Sequence, residues 1–411
     1  MERLLDGVGD GGFVWGMMSK SSLVIVGGGV FGLSSALELR GRGWRVTLLD
    51  QGEVPHTDAA STDISKVVRM DYGADEIYTE MGEAALDGWC RWNASWERPL
   101  FHADGFLVMT RDPEMKPGGF EHDSFHFLTS RGHDLVRLRE ADLARRHPMW
   151  KAGCFHDGYL NPTGGWAESE RVMAQLRRLA AEAGVEIHSG RTFESWMEKG
   201  SRVVGVRTAD GSEWAADQVM ACLGAWTPLV LPETRGFLST SGQPVVHFKP
   251  ERTQDFRSPS FPVWGADIAR TGWYGFPANA EGIVKVANHG PGTPIHERDQ
   301  PRLVSEAEVE RFREFVRETF PQLAGAPVVG TRQCWYCDSR DGHFWIDHHP
   351  QRPGLLLATG DSGHAFKFAP VLGGLIADVV ERQPNPWAER FRWREAETKP
   401  ADGARARSVD G

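Results

Sequence analysis

Several features that mark large classes of proteins are missing from this sequence. No apolar stretch approaches the roughly 20 residues that a helix needs to cross a bilayer, so we expect no membrane partner. Acidic residues (56) outnumber basic ones (46), and there is no basic block. Because nucleic acids attract clustered positive charge, we also expect no nucleic-acid partner.

Cysteine is scarce as well. The five cysteines are few and odd in number, which argues against a disulfide framework and for a reducing compartment, so we expect a cytoplasmic protein. Residues 1–20 are glycine-rich and lack the basic start and long apolar core of a signal peptide, and we interpret them as an N-terminal extension. A chain of 411 residues can bury a large core, and we expect two domains.

The best-defined motif lies near the start of the chain. The apolar run 23–26 is typical of a buried strand, and Gly27, Gly29 and Gly32 follow it at GxGxxG spacing before an Ala- and Leu-rich helix. These glycines permit a tight turn, a close approach of the backbone to a pyrophosphate, and packing of the helix on the strand. A second strand ends at Asp50, whose carboxylate is placed to bind an adenosine ribose. This order of elements predicts a dinucleotide-binding fold.

Two cations follow the second strand. Lys66 and Arg69 lie in the stretch 55–73, which is rich in small and polar residues. Composition alone indicates a solvated loop with surface cations. Because a loop in this position runs beside a bound cofactor, we interpret it as part of the site.

Three later segments carry further candidate residues. The apolar strand 217–227 contains Gly224, where the backbone can pass beneath a ligand, although the segment is equally typical of an ordinary sheet strand. Lys285 lies in an apolar strand, where an ammonium is costly unless it reaches water or a partner, so it is a site candidate. His364 and Lys367 lie in a Gly/Ser loop that leads into a helix N-terminus, a place suited to negative charge.

Cys334 and Cys337 form a CxxC pair. From the spacing alone this is a redox pair or half of a zinc site. No second CxxC or CxxH follows at zinc-finger spacing, so we predict no metal.

Periodicity and turn residues predict the remaining elements. We expect helices at 75–96, 137–146, 171–183 and 303–319, the last of them facing solvent, strands at 102–111 and 185–189, a hairpin over 202–215, a strand-like region at 242–290 and an irregular connection at 158–169.

With these motifs established, the chain resembles the FAD-dependent amine oxidases of the D-amino-acid oxidase superfamily. Within it, the chain is similar to the branch of monomeric sarcosine, fructosyl-amino-acid and saccharopine/pipecolate oxidases, from Ser22 to about Arg390. The shared motifs are VGGGVFG near the start, GAW at 224–226, YGFP with Lys285 eleven residues after Tyr274, a TRxCxY cysteine, IDxHP and SGHxFKF.

The resemblance implies an α/β fold of mixed α+β character. It has a Rossmann-like FAD-binding domain and an interleaved substrate domain on a mixed or antiparallel sheet. The implied bounds are 21–95, 158–232 and 331–396 for the discontinuous FAD-binding domain, 96–157 and 233–330 for the substrate or catalytic domain, and 397–411 for a C-terminal tail.

The resemblance also implies catalytic roles. Lys285 is similar to the lysine that sits by flavin N5 through a water and favours electron transfer to dioxygen. Arg69 and Lys367 fall where relatives hold the substrate carboxylate, a sensible grip for an amino acid. The residues that match side chains around the substrate amine are Tyr274, His289 and His364.

The implied cofactor is FAD, attached covalently. Cys334 matches the cysteine that carries flavin through a thioether at the ring 8-methyl group. Lys66 matches an Arg or Lys near the flavin, and Phe193 a residue that packs on adenine. The other residues expected to bind FAD are Gly27, Gly29, Val30, Phe31, Gly32, Asp50, Gln51, His56, Ser65, Gly224, Trp226, Ser362, Gly363, Phe366 and Lys367.

The implied function is oxidation of the secondary amine of an N-substituted amino acid, for example an N-methyl amino acid. Hydride passes to flavin N5, the imine is hydrolysed, and dioxygen reoxidises the flavin to give hydrogen peroxide. The implied partners are this small molecule and O2, and the protein is expected to be a monomer.

Two departures from the family pattern bear on flavin attachment and on the substrate, and the substrate stays open. Cys337 is not a general feature of the family, and a disulfide with Cys334 would compete with flavin attachment. His289 stands where fructosyl-amino-acid oxidases carry a substrate-binding acid. The alternatives are a fructosyl-amino-acid or saccharopine/pipecolate-type oxidase, a biosynthetic amine oxidase, a dehydrogenase with another electron acceptor, or a non-catalytic flavin-binding subunit.

Overall fold

A computed structural model describes residues 21–394 and 403–406. The expected N-terminal extension, residues 1–20, lies outside the described residues. The strands in chain order are β1 (Ser22–Val26), β2 (Arg45–Leu49), β3 (Lys66–Val68), β4 (Phe101–His102), β5 (Phe106–Thr110), β6 (Val136–Arg139), β7 (Asp157–Asn161), β8 (Gly165–Ala167), β9 (Glu186–His188), β10 (Phe193–Lys199), β11 (Arg202–Thr208), β12 (Glu213–Ala215), β13 (Gln218–Ala221), β14 (Leu238–Phe248), β15 (Val263–Ala266), β16 (Trp273–Gly275), β17 (Val284–Asn288), β18 (Thr293–Ile295), β19 (Val328–Ser339), β20 (Trp345–His348) and β21 (Leu355–Thr359).

Helices connect and cover these strands. They are α1 (Val30–Gly41), α2 (Glu76–Ser95), α3 (Phe120–Ser130), α4 (Glu140–Arg146), α5 (Ser169–Glu182), α6 (Thr227–Val230), α7 (Ile268–Thr271), α8 (Glu306–Thr319), α9 (Pro321–Ala324), α10 (Ala369–Val380) and α11 (Ala388–Phe391). Short 3-10 turns lie at Gly224–Trp226, Pro232–Thr234, Thr253–Phe256 and Phe366–Phe368.

A six-stranded sheet that contains β1 and β2 forms the first layer of the fold. Its order is β20-β21-β13-β1-β2-β9, and all neighbours are parallel except β20 and β21. α1 connects β1 to β2, while β13 pairs on the other side of β1. In doubly wound sheets a ligand binds at such a switch point, beyond the carboxyl ends of the strands. The expected strand–helix–strand unit is confirmed.

Both faces of this sheet are covered. One face packs against apolar side chains of α1, α2, α5 and α10, among them Leu33, Tyr78, Leu176 and Leu372. The other face packs against the three-stranded sheet β10-β11-β12, through Val24, Val219 and Phe193. A parallel sheet buried on both faces has the continuous apolar strands seen here in β1 and β21.

A nine-stranded mixed sheet forms the second layer. Its order is β18-β14-β17-β16-β15-β5-β7-β6, and β19 pairs with β14 along almost the whole of both strands. α8 packs its apolar side, with Phe312, Phe315 and Val316 buried, against this sheet. The helix expected to face solvent therefore does so on one side only.

The second sheet also contains strands from segments assigned to the other domain. The expected boundaries at residues 158 and 331 fall inside β7 and β19, and both strands belong to the nine-stranded sheet. The domain division itself stays a prediction.

Three of the expected elements differ in the structure. The strand expected at 102–111 is broken at Gly105, whose φ of 88° turns the chain out of β4 before β5 begins. The helix expected from residue 137 starts only at Glu140, because 136–139 form strand β6 beside β7. The connection expected to be irregular, 158–169, contains most of β7 and all of β8. Within residues 21–394 and 403–406, no helix is long and apolar enough to cross a membrane.

Candidate functional site

The first cavity lies at the carboxyl ends of β1, β2 and β13. It spans about 990 Å³, part of which is open to solvent, and is lined at these strand ends by Gly27, Asp50 and Cys222. This is the edge of the sheet where the switch point predicts a ligand.

Glycines shape the turn that enters this cavity. Gly27 has a φ of 110°, and a Cβ there would lie 2.1 Å from the carbonyl oxygen of Cys222. A Cβ on Gly32 would lie 1.9 Å from the carbonyl oxygen of Gly27, so only glycine lets the helix start this close to the strand. Gly29, the N-cap residue of α1, has no side chain to cap the helix, and the Val30 amide donates instead to Ser61 Oγ (2.9 Å). The first turn of α1 lines the cavity, where a helix N-terminus presents amide donors and positive potential to a pyrophosphate.

Asp50 is buried at the end of β2. Its carboxylate accepts hydrogen bonds from the backbone amides of Gly28 (2.7 Å) and Gly52 (3.0 Å). Burial raises the pKa of this carboxyl group. Asp50 therefore ties the glycine turn to the second strand while it lines the cavity, and its contact with a ribose stays a prediction.

Most of the residues expected to bind FAD lie around this cavity. Those lining it are Gly27, Gly29, Val30, Phe31, Asp50, Gln51, His56, Lys66, Phe193, Gly224, Trp226, Gly363 and Phe366. The expected residues outside that lining are Gly32, Ser65, Cys334, Ser362 and Lys367. Gly32 acts through packing, and Lys367 lines the neighbouring cavity instead.

The second cavity adjoins the first. It encloses about 590 Å³, and Lys66, Tyr336, Gly363 and Phe366 line both cavities. All six residues expected to be catalytic line it: Arg69, Tyr274, Lys285, His289, His364 and Lys367. The fold therefore brings together side chains that are almost 300 residues apart in the sequence.

Tyr72 contacts two of the cations that line this cavity, Arg69 and Lys367. The guanidinium of Arg69 lies 4.8 Å from the centre of its ring, and the ammonium of Lys367 lies 5.2 Å from it. Lys367 donates a hydrogen bond to the Tyr72 hydroxyl (2.9 Å), which lies 3.0 Å from Nδ1 of His364. His364 Nε2 lies 3.0 Å from the carbonyl oxygen of Gly342. Because a carbonyl only accepts, Nε2 carries the proton and Nδ1 accepts from Tyr72.

Arg69 is fixed from its other side as well. Its guanidinium donates to the carbonyl oxygen of Asp71 and lies 5.3 Å from the ring of Phe120. The Asp71 carboxylate accepts from the Tyr159 hydroxyl (2.7 Å) and from Asn161 (3.0 Å). Two buried cations held beside one ring form a site for an anionic group such as a carboxylate.

Lys285 lies in the wall of the second cavity. Its ammonium donates to Asp63 Oδ2 (2.5 Å) and to the carbonyl oxygen of Ser65 (2.6 Å), and lies 4.6 Å from the centre of the Phe276 ring. Burial lowers its pKa to about 8, against the opposing influence of Asp63. The ammonium is therefore charged at neutral pH.

The two cysteines of the CxxC pair lie on opposite faces of β19. Cys334 shares its face with Tyr336, which lines both cavities, whereas the Cys337 sulfur accepts a hydrogen bond from Thr359 (3.4 Å) on the six-stranded sheet. Both thiols are buried and free. Alternation along the strand directs them apart, so the disulfide considered from the sequence does not form in this structure.

Sequence reasoning missed three contributors to the site. Tyr72 and Asp63 lie close to the predicted Arg69 and Lys66, but their partners are over 200 residues away. Asp361, whose pKa burial raises to about 6, accepts from the amides of Cys337 (2.9 Å) and Gly363 (3.1 Å). In the sequence, only the position of Asp361 in the loop before α10 indicated that it could belong to the site.

The C-terminal segment 403–406 packs on residues that line the second cavity. The Arg405 guanidinium binds Asp338 (2.9 Å) and donates to the Gly290 carbonyl (3.1 Å), and the Ala406 amide donates to the His289 carbonyl (3.0 Å). Ala404 packs with Ile268, Tyr274 and Phe120. Part of the expected tail thus supports one wall of the cavity.

A doubly wound sheet with a glycine turn, a helix N-terminus at the strand ends and an adjoining cationic cavity is typical of a dinucleotide-dependent enzyme. The glycine turn, the helix N-terminus and the acid at the end of the second strand fit FAD. Residues 22–379 match the family described as FAD dependent oxidoreductase (DAO). The chain belongs to this family. The family resemblance and the fold class expected from the sequence are therefore confirmed.

Individual relatives agree along nearly their whole length. L-saccharopine oxidase of Schizosaccharomyces pombe is 28% identical, over 92% of this chain and 94% of that protein. Peroxisomal sarcosine oxidase of Mus musculus is 27% identical, over 88% and 92%. The structure of fructosamine oxidase (Amadoriase II) from Aspergillus fumigatus in complex with FSA is 27% identical, covers 94% of this chain and 91% of that one, and superposes with a TM-score of 0.79.

Proposed function

We propose that this FAD-dependent oxidoreductase is an oxidase of the secondary amine of an N-substituted amino acid, such as an N-methyl amino acid. The observation that carries the proposal is the pair Arg69 and Lys367, both held against the ring of Tyr72 in a cavity that shares residues with the cofactor cavity. The names of the saccharopine and sarcosine oxidases support an amino-acid substrate.

The two cations would hold the substrate carboxylate. Both are buried, at 3% exposure, so an anion that binds them does so away from screening water. Binding of the carboxylate at one end of the cavity directs the amine towards Tyr274, His289 and Lys66, which line the same cavity.

The same charges favour the reactive form of the amine. Oxidation of the C–H bond beside nitrogen needs the nitrogen lone pair, so the amine must be neutral. Nearby positive charge disfavours a protonated amine, and the aromatic rings of Tyr274, Phe276 and Phe106 add apolar walls. Bound FAD supplies the hydride acceptor, N5, and returns the electrons to dioxygen as hydrogen peroxide.

We further propose Cys334 as the point of covalent attachment of FAD. Its place on the same strand face as Tyr336 supports this role. In Cys334→Ser, acid precipitation should release the flavin into the supernatant, whereas Cys337→Ser, which changes the opposite face, should retain it in the pellet. Flavin that stays bound to denatured Cys334→Ser would exclude this attachment.

The substrate test is anaerobic mixing of the holoprotein with sarcosine, other N-methyl amino acids, pipecolate, saccharopine and fructosyl-glycine. Bleaching of the flavin by an N-methyl amino acid, with no bleaching by the matching N-methyl amine that lacks a carboxylate, is the expected result. Bleaching by saccharopine alone would favour the second candidate, a saccharopine-type oxidase, which the 28% identical relative suggests. No bleaching by any compound, with dithionite still effective, would overturn both.

The cellular setting is also a proposal. All five cysteines are free, at Cys90, Cys154, Cys222, Cys334 and Cys337, which supports a reducing compartment such as the cytoplasm. A monomer is proposed from the likeness to monomeric sarcosine oxidases, one of which, from Streptomyces avermitilis, is 26% identical.

A further inference from the structure

Asp63 is the one carboxylate that contacts Lys285 within the described residues. The ammonium lies 2.5 Å from Asp63 Oδ2, and both side chains are almost fully buried, at 2% and 3% exposure. The two residues are 222 positions apart. The contact therefore ties the loop before β3 to strand β17.

A histidine lies on the far side of Asp63. His247 is directly opposite Lys285 in the antiparallel pairing of β14 with β17, and its Nε2 is 3.5 Å from Asp63 Oδ1. Asp63 and His247 both line a separate cleft, together with Asp58, Glu170, Arg302 and Arg332. Asp63 thus stands between Lys285, which faces the second cavity, and a polar cleft on its other side.

Charge explains why Lys285 needs this partner. An ammonium without a partner in a buried site loses its proton, because burial disfavours the charged form. Burial alone would also raise the pKa of Asp63, but Lys285, His247 and Lys66 hold it well below its usual range. Asp63 is therefore ionised at neutral pH and keeps its partner charged.

We propose that Asp63 is a positioning residue for the reaction of the reduced flavin with dioxygen. Asp63 holds the Lys285 ammonium charged and directed into the second cavity, while His247 contacts the other oxygen of the Asp63 carboxylate. The inference rests on the proposed function, in which dioxygen is the electron acceptor, and on the role beside the flavin that the family resemblance implies for Lys285. Dioxygen takes two electrons and one proton from the anionic reduced flavin and a second proton from solvent, which gives oxidised flavin and hydrogen peroxide. The first electron makes an anion, which a fixed ammonium stabilises.

Other groups facing this ammonium limit how its charge responds to pH. Lys66, in β3, lowers the pKa of Lys285, and the free thiol of Cys334, in β19, raises it. The thioether proposed at Cys334 would remove the second influence in the holoprotein, because a thioether carries no charge. β14 contributes His247, which acts through Asp63, and the turn after β16 contributes the uncharged ring of Phe276. Asp63 is the strongest of the charged neighbours.

The first test is flavin reoxidation without any amine substrate. The holoprotein is reduced with dithionite and mixed with oxygenated buffer at several pH values. In the wild type the rate should fall as the pH rises through about 8, where Lys285 loses its proton. Asp63→Asn keeps the shape but removes the charge, so the apparent pKa should move down, with a rate roughly tenfold lower at pH 8 and recovery towards pH 6.

Glu170→Gln is the matched control. It removes a carboxylate from the same cleft at an exposed position that does not contact Lys285, so its pH profile should match that of the wild type. An unchanged apparent pKa in Asp63→Asn would overturn the proposal. A loss of rate without any change in the pH profile would do the same, since a purely structural role explains it.

The second test needs neither flavin nor turnover. Thermal unfolding is compared for Asp63→Asn, Lys285→Met and the double variant. Each single change leaves one buried charge unpaired and should lower Tm by at least about 3 °C, while the double variant should recover most of the loss. Additive losses would overturn the pairing, even if Asp63→Asn retains too little flavin for the kinetics. If no amine bleaches the flavin but both tests succeed, the proposed substrate fails and this inference stands.

Discussion

The two cavities of this enzyme differ in how far backbone groups and side chains form their walls. One end of the first cavity is formed by backbone, namely a glycine turn, the start of a helix and the ends of three parallel strands, and side chains such as Phe193 and Trp226 line the rest. The charged groups of the second cavity are side chains from β3 and the residue after it, from β17, and from the 3-10 turn before α10. We therefore expect changes in chain path to act most strongly on the first cavity, and changes of single charged side chains on the second.

This difference fits what each cavity has to recognise. Phosphate groups are well served by backbone amides and a helix N-terminus, which any sequence with the right glycines provides. A small amino acid offers only a carboxylate, an amine and a short side chain. Selectivity for such a ligand requires individual charges at fixed positions, and each of those charges needs a partner when it is buried.

Gly27→Ala should have the largest effect, because it changes the chain path of the first cavity. The new Cβ would lie 2.1 Å from the Cys222 carbonyl oxygen at a φ of 110°. Strain of about 3 kcal/mol should displace the turn, and the purified protein should lack the visible absorbance of flavin. Gly41→Ala, at the open end of the same helix with nothing within 4 Å of the new Cβ, should keep its flavin. A yellow Gly27→Ala protein would contradict the role of the turn.

Arg69→Ala should act on the second cavity alone. Loss of one of two buried cations should cost substrate binding about 3 kcal/mol, or roughly 100-fold in kcat/KM, while the flavin spectrum stays intact. The measurement is the concentration dependence of flavin bleaching by the amino acid that bleaches the wild-type protein. Arg311→Ala is the control, since Arg311 lies 5.0 Å from the Trp273 ring but lines neither cavity. Equal losses in the two variants would show that the effect is not due to carboxylate binding.

The contrast between the cavities also explains what the sequence predicts. The glycine turn and Asp50, at one end of the first cavity, lie in one contiguous segment, so the glycine spacing and the acid after the second strand were sufficient to predict that end. The rest of the lining comes from distant segments of the chain. The cations of the second cavity were found because a buried lysine or arginine is unusual and because the chain resembles a known family. Their partners were not found. Tyr72 and Asp63 read as ordinary loop residues until the fold brings Lys367 and Lys285 to them.

The errors in secondary structure have a similar origin. The segment 137–146 is rich in charge and was expected to be helical throughout, yet its first residues form an edge strand. Arg137 and Arg139 both reach Asp157, which is fully buried in the neighbouring strand β7. That pairing between distant residues overrides local helix propensity.

Tyr72→Phe should have an intermediate effect. It removes the hydroxyl that accepts from Lys367 and donates to His364 but keeps the ring that both cations face. The loss of one buried, charge-assisted hydrogen bond should cost about 2 kcal/mol, or roughly 30-fold in kcat/KM. Tyr78→Phe provides the control, because Tyr78 stacks on Tyr72 at 4.9 Å and its hydroxyl contacts His343 instead. Comparable losses in both variants would mean that the hydroxyl chain plays no special part.

Arg405→Ala should have the smallest effect, and it tests whether the wall of the second cavity needs the C-terminal segment. Arg405 binds Asp338, and the adjacent Ala406 amide supports His289 from behind. Without this anchor the wall should loosen, so KM for a small substrate should rise a few-fold at nearly constant kcat, with about 1 kcal/mol of lost stability.

Arg42→Ala separates these two effects of the C-terminal anchor. Arg42 binds Asp378 (2.7 Å) and Glu381 (2.8 Å), and neither these residues nor their sequence neighbours line the second cavity. Its loss should lower Tm by a similar amount and leave KM unchanged. If both variants shift KM equally, general loosening of the fold is the cause. If only Arg405→Ala shifts KM, the second cavity depends on a segment more than a hundred residues beyond Lys285. No local motif in the sequence predicts this dependence.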